Sequence, residues 1–362
     1  MIQTKDETHP TSSACSCSTC GPEQPTPCCS GSSARYSPEI HTTTSVITGA
    51  DRWDHFLARW GVNRMGHIVA PGLYRLGNPT GDSPVFASAN YTLSFDALRS
   101  ALAGIDCYIL VLHTKGINVW CAAGKGTFGT DELVQRIEST GLSGIVSPRR
   151  IILPQLAAPG VSAHEVARRS GFSVEYAPVR ARDLSPYLAA HTATREMRTV
   201  KFTLAERLVL APMELVHAAL PTIAAAIILF SLAGPFAALA AVAAVLAGTV
   251  LFPALLPILP THDFSTKGFI LGAVIAIPFS IIFALIPEMS GFAEIVAVLV
   301  PLLVIPAVTA YLALNFTGST TFTSRTGVKK EIFRYVPAMV MMAGAGTVLW
   351  VALGILRFMG VA

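Results

Sequence analysis

Apolar and polar positions follow two different rules along this chain. Up to about residue 207, short apolar runs alternate with amphipathic stretches, whereas from residue 208 onward the sequence is almost wholly apolar. In the first half the runs Val85-Phe-Ala-Ser-Ala, Tyr108-Ile-Leu-Val-Leu and Ile151-Ile-Leu predict strands, and the amphipathic stretches 95–102, 131–137 and 163–169 predict helices. Strand then helix, repeated, predicts parallel βαβ units and a Rossmann-like α/β sheet within 46–195, an ordinary length for one domain. Ligands of such sheets sit beyond the carboxyl ends of the strands, so the segment after Tyr108-Ile-Leu-Val-Leu-His is the first place to look for a site.

The second half, 196–362, holds five apolar stretches near 208–232, 236–259, 268–287, 292–316 and 335–356. Each is close to the roughly 20 residues that cross a hydrocarbon core, which predicts an all-α bundle of five transmembrane helices. Arg195, Arg198, Lys201 and Arg207 precede the first stretch, Lys267 lies between the second and third, and Arg325, Lys329, Lys330 and Arg334 lie between the fourth and fifth. The other two links carry no Lys or Arg and include Glu288 and Glu294. The basic links should face the cytoplasm, so a multi-pass protein of the cytoplasmic membrane with a cytoplasmic N-terminal domain is expected. Pro221, Pro253, Pro278 and Pro306 are tolerable inside such spans, where neighbouring helices satisfy freed backbone groups.

Composition agrees with that division. Of 362 residues, 52% are hydrophobic and 13% charged, an imbalance that a wholly soluble protein does not show. The net charge of +4, with no long basic run, gives nucleic-acid binding no electrostatic support. The first residues carry no apolar core of a secretory signal, so the soluble half is expected to stay in the cytoplasm with reduced thiols. Five of the seven cysteines, Cys15, Cys17, Cys20, Cys28 and Cys29, crowd a tail over 1–45 made largely of Ser, Thr, Pro and Gly, which cannot bury enough apolar surface to fold.

The segment Asn118-Val-Trp-Cys-Ala-Ala-Gly-Lys125, followed by Gly126-Thr-Phe-Gly-Thr-Asp-Glu, carries the candidate chemistry. Its glycines let backbone approach a large flat ligand, and Thr127 or Thr130 is expected to cap the helix ending near Ser139. A cysteine before such a helix, with Lys125 nearby, is placed to be a thiolate of lowered pKa. The same Cys121 could equally be a small buried hydrophobe at a strand-to-helix turn. Gly124-Lys-Gly-Thr has a phosphate-loop flavour but lacks the upstream glycine, and nucleotide binding would leave Cys121 without a purpose.

The octapeptide 118–125 resembles the signature of the HgcA family, the membrane corrinoid proteins of microbial mercury methylation, and less closely the corrinoid iron–sulfur protein of acetyl-CoA synthesis. The resemblance extends to Ser88-Ala-Asn-Tyr91 with Ser94-Phe-Asp96, to Leu153-Pro-Gln-Leu-Ala-Ala-Pro-Gly-Val161 and to Asn315-Phe-Thr-Gly-Ser, covering nearly everything from about residue 47 onward. It implies a corrinoid (cobalamin-type) cofactor, a cap helix beginning near Cys121, and Cys121 sulfur as both catalytic residue and axial ligand to cobalt. Asn118, Val119, Trp120, Ala122, Ala123, Gly124 and Lys125, with Asn90, Gln155 and Gly160, would line the cofactor. The activity implied is a methyltransferase that moves a methyl group from cobalt to Hg(II), forming methylmercury. An upstream methyl donor and a separate ferredoxin-like protein with two 4Fe–4S clusters are the implied partners, because no 4Fe–4S cysteine spacing is read in this chain.

Other residues carry weaker readings. The tail cysteines could be inert, a zinc-like site or a collector of Hg(II). His113 at a strand end reads as a satisfied structural histidine, and Cys107 as buried and inert. Glu214 and His217 lie on one face of the first apolar stretch, either lining a bundle interior or solvated near its end. They leave a second functional class open, a non-catalytic membrane transporter or sensor with a cytosolic ligand-binding domain.

Overall fold

A computed structural model of the chain describes residues 39–285, 291–320 and 322–359. Cys15, Cys17, Cys20, Cys28 and Cys29 lie outside the described residues, as does the role expected of them. The first half runs β1 (Ile40–Thr43), α1 (Gly49–Arg59), β2 (Gly72–Leu76), β3 (Val85–Ala89), α2 (Thr92–Ala101), β4 (Cys107–Leu112), α3 (Val119–Lys125), α4 (Thr130–Ser139), α5 (Leu142–Ile145), β5 (Arg150–Pro154), α6 (Ala163–Ser170), β6 (Ser173–Ala177) and α7 (Leu184–Ala190).

The six strands form one sheet in the order β1-β2-β4-β3-β5-β6. The pairs β3–β4, β3–β5 and β5–β6 are parallel, as expected from the alternating pattern, but β2 runs antiparallel to β4, so the sheet is mixed. The connection 77–84 between β2 and β3 contains no helix, and a parallel crossover needs about a dozen residues or more. The sheet also starts earlier than residue 46: Ile40–Thr43 pairs in parallel with β2, inside the stretch assigned to the tail. Its sequence Ile-His-Thr-Thr is half-exposed at a sheet edge and carries too little apolar signal to stand out.

Strand β4 is buried along its whole length, and its alternate residues feed two cores. Leu110 and Leu112 pack with Ala122, Leu133 and Val166 from α3, α4 and α6. Ile109 and Val111 pack on the opposite face with Phe95, Leu98 and Leu102 at α2 and with Leu184 of α7. Helix α2 leaves β3 for one face and α6 leaves the adjacent β5 for the other, which opens a crevice between the carboxyl ends of β3 and β5, the topological switch point of the sheet.

Among the described residues the second half contains five helices long and apolar enough to cross a membrane: Leu204–Ala233, Pro235–Leu255, Phe264–Ala284, Phe292–Ser319 and Thr326–Leu356, here spans one to five. Spans three and four meet through small residues four apart. A Cβ on Gly268 would lie 2.5 Å from the Ala310 Cα, and one on Gly272 would lie 2.5 Å from the Pro306 Cα, so only glycine allows this approach. In span two, a π-helical turn at Ala247–Leu251 precedes Pro253 and accommodates its missing N–H and its ring. The helix of span five begins at Arg325, ahead of the 335–356 stretch, because its first turns carry the basic residues that the apolar pattern left out.

Candidate functional site

The crevice is organised by Asn90, the residue after β3. It is 1% exposed, and its side-chain oxygen accepts hydrogen bonds from the Thr114 N–H (3.0 Å), the Thr114 hydroxyl (2.8 Å) and the Gly116 N–H (3.0 Å). These bonds fix the loop after β4, which turns through left-handed conformations at Lys115 and Gly116. A Cβ on Gly116 would lie 2.8 Å from the Ile68 side chain, so the loop closes tightly against the 61–68 segment.

That loop launches α3. Asn118 caps it, accepting a hydrogen bond from the Cys121 N–H at 2.9 Å, and Gly126 ends it in the left-handed conformation. The implied cap helix thus begins two residues before Cys121. Ala122 and Ala123 turn inward into the core, whereas Val119, Trp120 and Cys121 are half-buried and Asn118, Gly124 and Lys125 are exposed. Neither Thr127 nor Thr130 caps α4. Gly129 takes that position, the Thr127 hydroxyl donates back to the Ala122 carbonyl, and the Thr130 hydroxyl accepts from the Ser162 N–H.

The structure brings part of the 153–161 segment against α3. A Cβ on Gly160 would lie 2.3 Å from the Phe128 carbonyl oxygen and 2.9 Å from the Ala123 Cα, which makes Gly160 a packing position beneath the helix. Gln155 opens a single 3-10 turn, Gln155–Ala157, and its side-chain oxygen accepts from Arg198 at 2.5 Å. The side-chain oxygens of Asn90 and Gln155 are therefore engaged with protein partners. His113 is exposed, with its backbone N–H donated to Glu132, and Cys107 is fully buried with its thiol pushed up to about 12 by burial and by Asp106.

Cys121 does not have the lowered pKa expected from the sequence. Burial pushes its thiol up, and this outweighs Lys125, the Asn118 side chain and Arg64, which pull the other way. Arg64 had no local signal: it joins the surroundings of Cys121 only because the 61–68 segment folds over the β4–α3 loop. Thr114 was missed for the same reason.

Among the described residues no group of three or more His, Cys, Asp or Glu converges to hold a metal ion. Cys121 is thus a single soft donor at the mouth of the crevice. On the same helix, one turn along, a Cβ on Gly124 would meet no heavy atom within 4 Å.

Residues 63–179 match the family model of CdhD, the CO dehydrogenase/acetyl-CoA synthase delta subunit. The matched stretch begins after α1, contains the whole crevice and ends just past β6. Relatives named acetyl-CoA decarbonylase/synthase complex subunit gamma share the similarity. The gamma 2 subunit of Methanosarcina mazei is 39% identical over 125 residues, 33% of this chain and 24% of that protein. The Methanopyrus kandleri subunit is 37% identical over 92 residues, 25% of this chain and 20% of its own length, and that of Methanothermobacter thermautotrophicus 29% over 127 residues, 34% and 27% respectively. The chain spans about a quarter of the length of these relatives. Spans one to five lie outside the match to the family model.

Proposed function

We propose that the α/β domain binds a corrinoid, that the Cys121 sulfur would hold its cobalt, and that the chain transfers a methyl group from cobalt to Hg(II). The observation that carries this reading is the lone thiol. A free metal ion is normally held by several protein donors, whereas a cobalt already enclosed by a macrocycle needs only one more. The site residues fit such a group: one half-buried sulfur, an open surface over Gly124, and the half-buried Trp120 and Val119 beside it. The similarity of residues 63–179 to subunits of acetyl-CoA decarbonylase/synthase supports the same class of chemistry.

When bound, the corrinoid would supply cobalt as the methyl carrier. The protein's own groups do the rest. Asn90, Thr114 and Gly116 hold the loop that sets the position of Cys121, Gly160 lets the 155–160 turn support α3 from beneath, and Lys125 and Arg64 offset the charge of a thiolate at position 121. The thiol proton must leave when sulfur takes up a metal, because only the deprotonated form is a strong donor. A thiolate donor suits a soft electrophile such as Hg(II) as acceptor. The names of the relatives, subunits of an acetyl-CoA decarbonylase/synthase complex, favour one alternative acceptor, a partner subunit, for which the same cobalt and the same cysteine would serve. An electron donor of the ferredoxin type with two 4Fe–4S clusters and an upstream methyl donor complete this reading.

The decisive variant is Cys121→Ala in the full-length protein loaded with corrinoid. Methylmercury formation should fall to background while the cofactor stays bound, with loss of the sulfur-to-cobalt absorption. Unchanged methylation would refute the assignment. We further infer that spans one to five cross the membrane with the α/β domain on the cytoplasmic side, from the basic residues before span one and at the head of span five. Reporter fusions after residues 322 and 359 should report opposite sides, and the same side for both would overturn this topology.

A further inference from the structure

Helix α1 turns acidic residues inward and aromatic residues outward. Its acidic residues and His55 face the domain: Asp51 accepts from Arg99 at 2.9 Å, Asp54 pairs with His67 at 2.7 Å, and His55 pairs with the buried Asp96 at 2.7 Å. Its aromatic residues face outward. Trp53 is 61% exposed and Phe56 46%; the Trp53 and Phe56 rings stack at a centroid distance of 5.3 Å, and the Phe56 and Trp60 rings meet at a tilt at 5.7 Å. Arg52, Phe56, Arg59 and Trp60 fall on one face at helical spacing.

This face continues into span one. A cleft of about 520 Å³ lies between Arg52, Phe56, Arg59 and Trp60 on one side and Ala205, Leu208, Val209 and Pro212 on the other. Just beyond α1, a Cβ on Gly61 would lie 2.8 Å from the Met213 sulfur, so the end of α1 is seated on the first turns of span one. If span one enters a bilayer there, the cleft lies at the boundary between head groups and acyl chains. Arg52 and Arg59 join no ion pair among the described residues. The nearby acidic groups are engaged: Asp51 with Arg99, Asp54 with His67, and Glu206 with Arg180.

We propose that this cleft binds an anionic phospholipid of the cytoplasmic leaflet, its phosphate between Arg52 and Arg59 and its acyl chains along Phe56, Trp60, Leu208 and Val209. Indole rings favour that interfacial depth, and guanidinium groups favour negative head groups. The bound lipid would brace α1, and through the 61–68 segment the wall of the Cys121 crevice, against the membrane. The inference rests on the membrane reading above.

Two tryptophan reporters in the full-length Trp120→Phe protein separate the two ideas in phosphatidylcholine nanodiscs. One keeps Trp53 and Trp60 with Trp350→Phe, and the other keeps only Trp350 in span five. Brominated phosphatidylglycerol should quench Trp53 and Trp60 at about a tenfold lower lipid fraction than brominated phosphatidylcholine does. Arg52→Gln with Arg59→Gln should erase that preference but keep the quenching by phosphatidylcholine, which also reports an intact fold, and Arg→Lys at both positions should retain it. Equal quenching by the two lipids overturns the proposal. So does quenching of Trp350 alone, which would mean that water or a partner protein covers α1. An unquenched Trp350 would overturn the membrane reading and this proposal with it.

Discussion

At the switch point of the sheet, one neutral oxygen of Asn90 gathers two backbone N–H groups and a hydroxyl. In the helical half, Glu331 of span five plays the matching part. It is 8% exposed and accepts hydrogen bonds from the Phe264 N–H (3.2 Å), the Ser265 N–H (3.0 Å) and the Ser265 hydroxyl (2.9 Å), where span three begins. A carboxylate suits the amino end of a long helix, whose unpaired N–H groups and dipole favour negative charge, whereas the loop before α3 presents only a few donors that a carboxamide satisfies. The two halves also differ in what they turn outward. In the spans, Leu220, Phe333 and Val348 are 78%, 71% and 68% exposed while Thr309 and Ser265 are fully buried. In the α/β half most large apolar residues turn inward, apart from Ile40 and Val46 at its start, the aromatic face of α1 and the adjoining 60–68 segment. The spans turn apolar residues outward and the α/β half turns most of them inward, and α1 follows the pattern of the spans.

Breaking each of these acceptors tests the comparison. Glu331→Ala should have the larger effect, because three buried donors lose a charged partner. We expect a loss of about 3 kcal/mol, read as denaturant unfolding of the helical half in micelles, with Glu331→Gln recovering part of it. Stability equal to that of the unaltered protein would mean that water satisfies the head of span three. Asn90→Ala should cost about 2 kcal/mol and act locally, speeding amide hydrogen exchange at Thr114 and Gly116 while leaving the helical half unchanged. Uniform protection across 113–118 would show that the loop is held by something else.

A smaller effect sharpens the contrast between a site open to a ligand and a sealed helix end. Burial raises the Cys121 thiol, so a proton competes with metal for the sulfur over a wider range of pH. Below the thiol pKa, sulfur-to-cobalt coordination should weaken by about tenfold for each unit of falling pH, and it should level off above that pKa. A spectroscopic titration that is flat with pH near neutrality would argue against a thiolate ligand.

The apolar pattern by itself determined the strands at 85–89, 107–112 and 150–154, the helices between them and the five long helices, because period-2 and period-3.6 signals and sheer length are local properties. The run 118–125 was equally legible as a strand-to-helix turn, since it follows a strand that is apolar throughout. The tertiary structure alone decided the antiparallel β2, the edge strand β1, the meeting of Arg64 and Ile68 with the Cys121 loop, and the raised thiol. Each depends on which distant segment covers which, and desolvation is a property of the assembled surroundings rather than of neighbours in sequence. The orientation of α1 belongs to the same group. Its amphipathic period is visible in the sequence, but which face turns inward was fixed by Asp96, Arg99 and His67 waiting in the fold to receive its polar side chains.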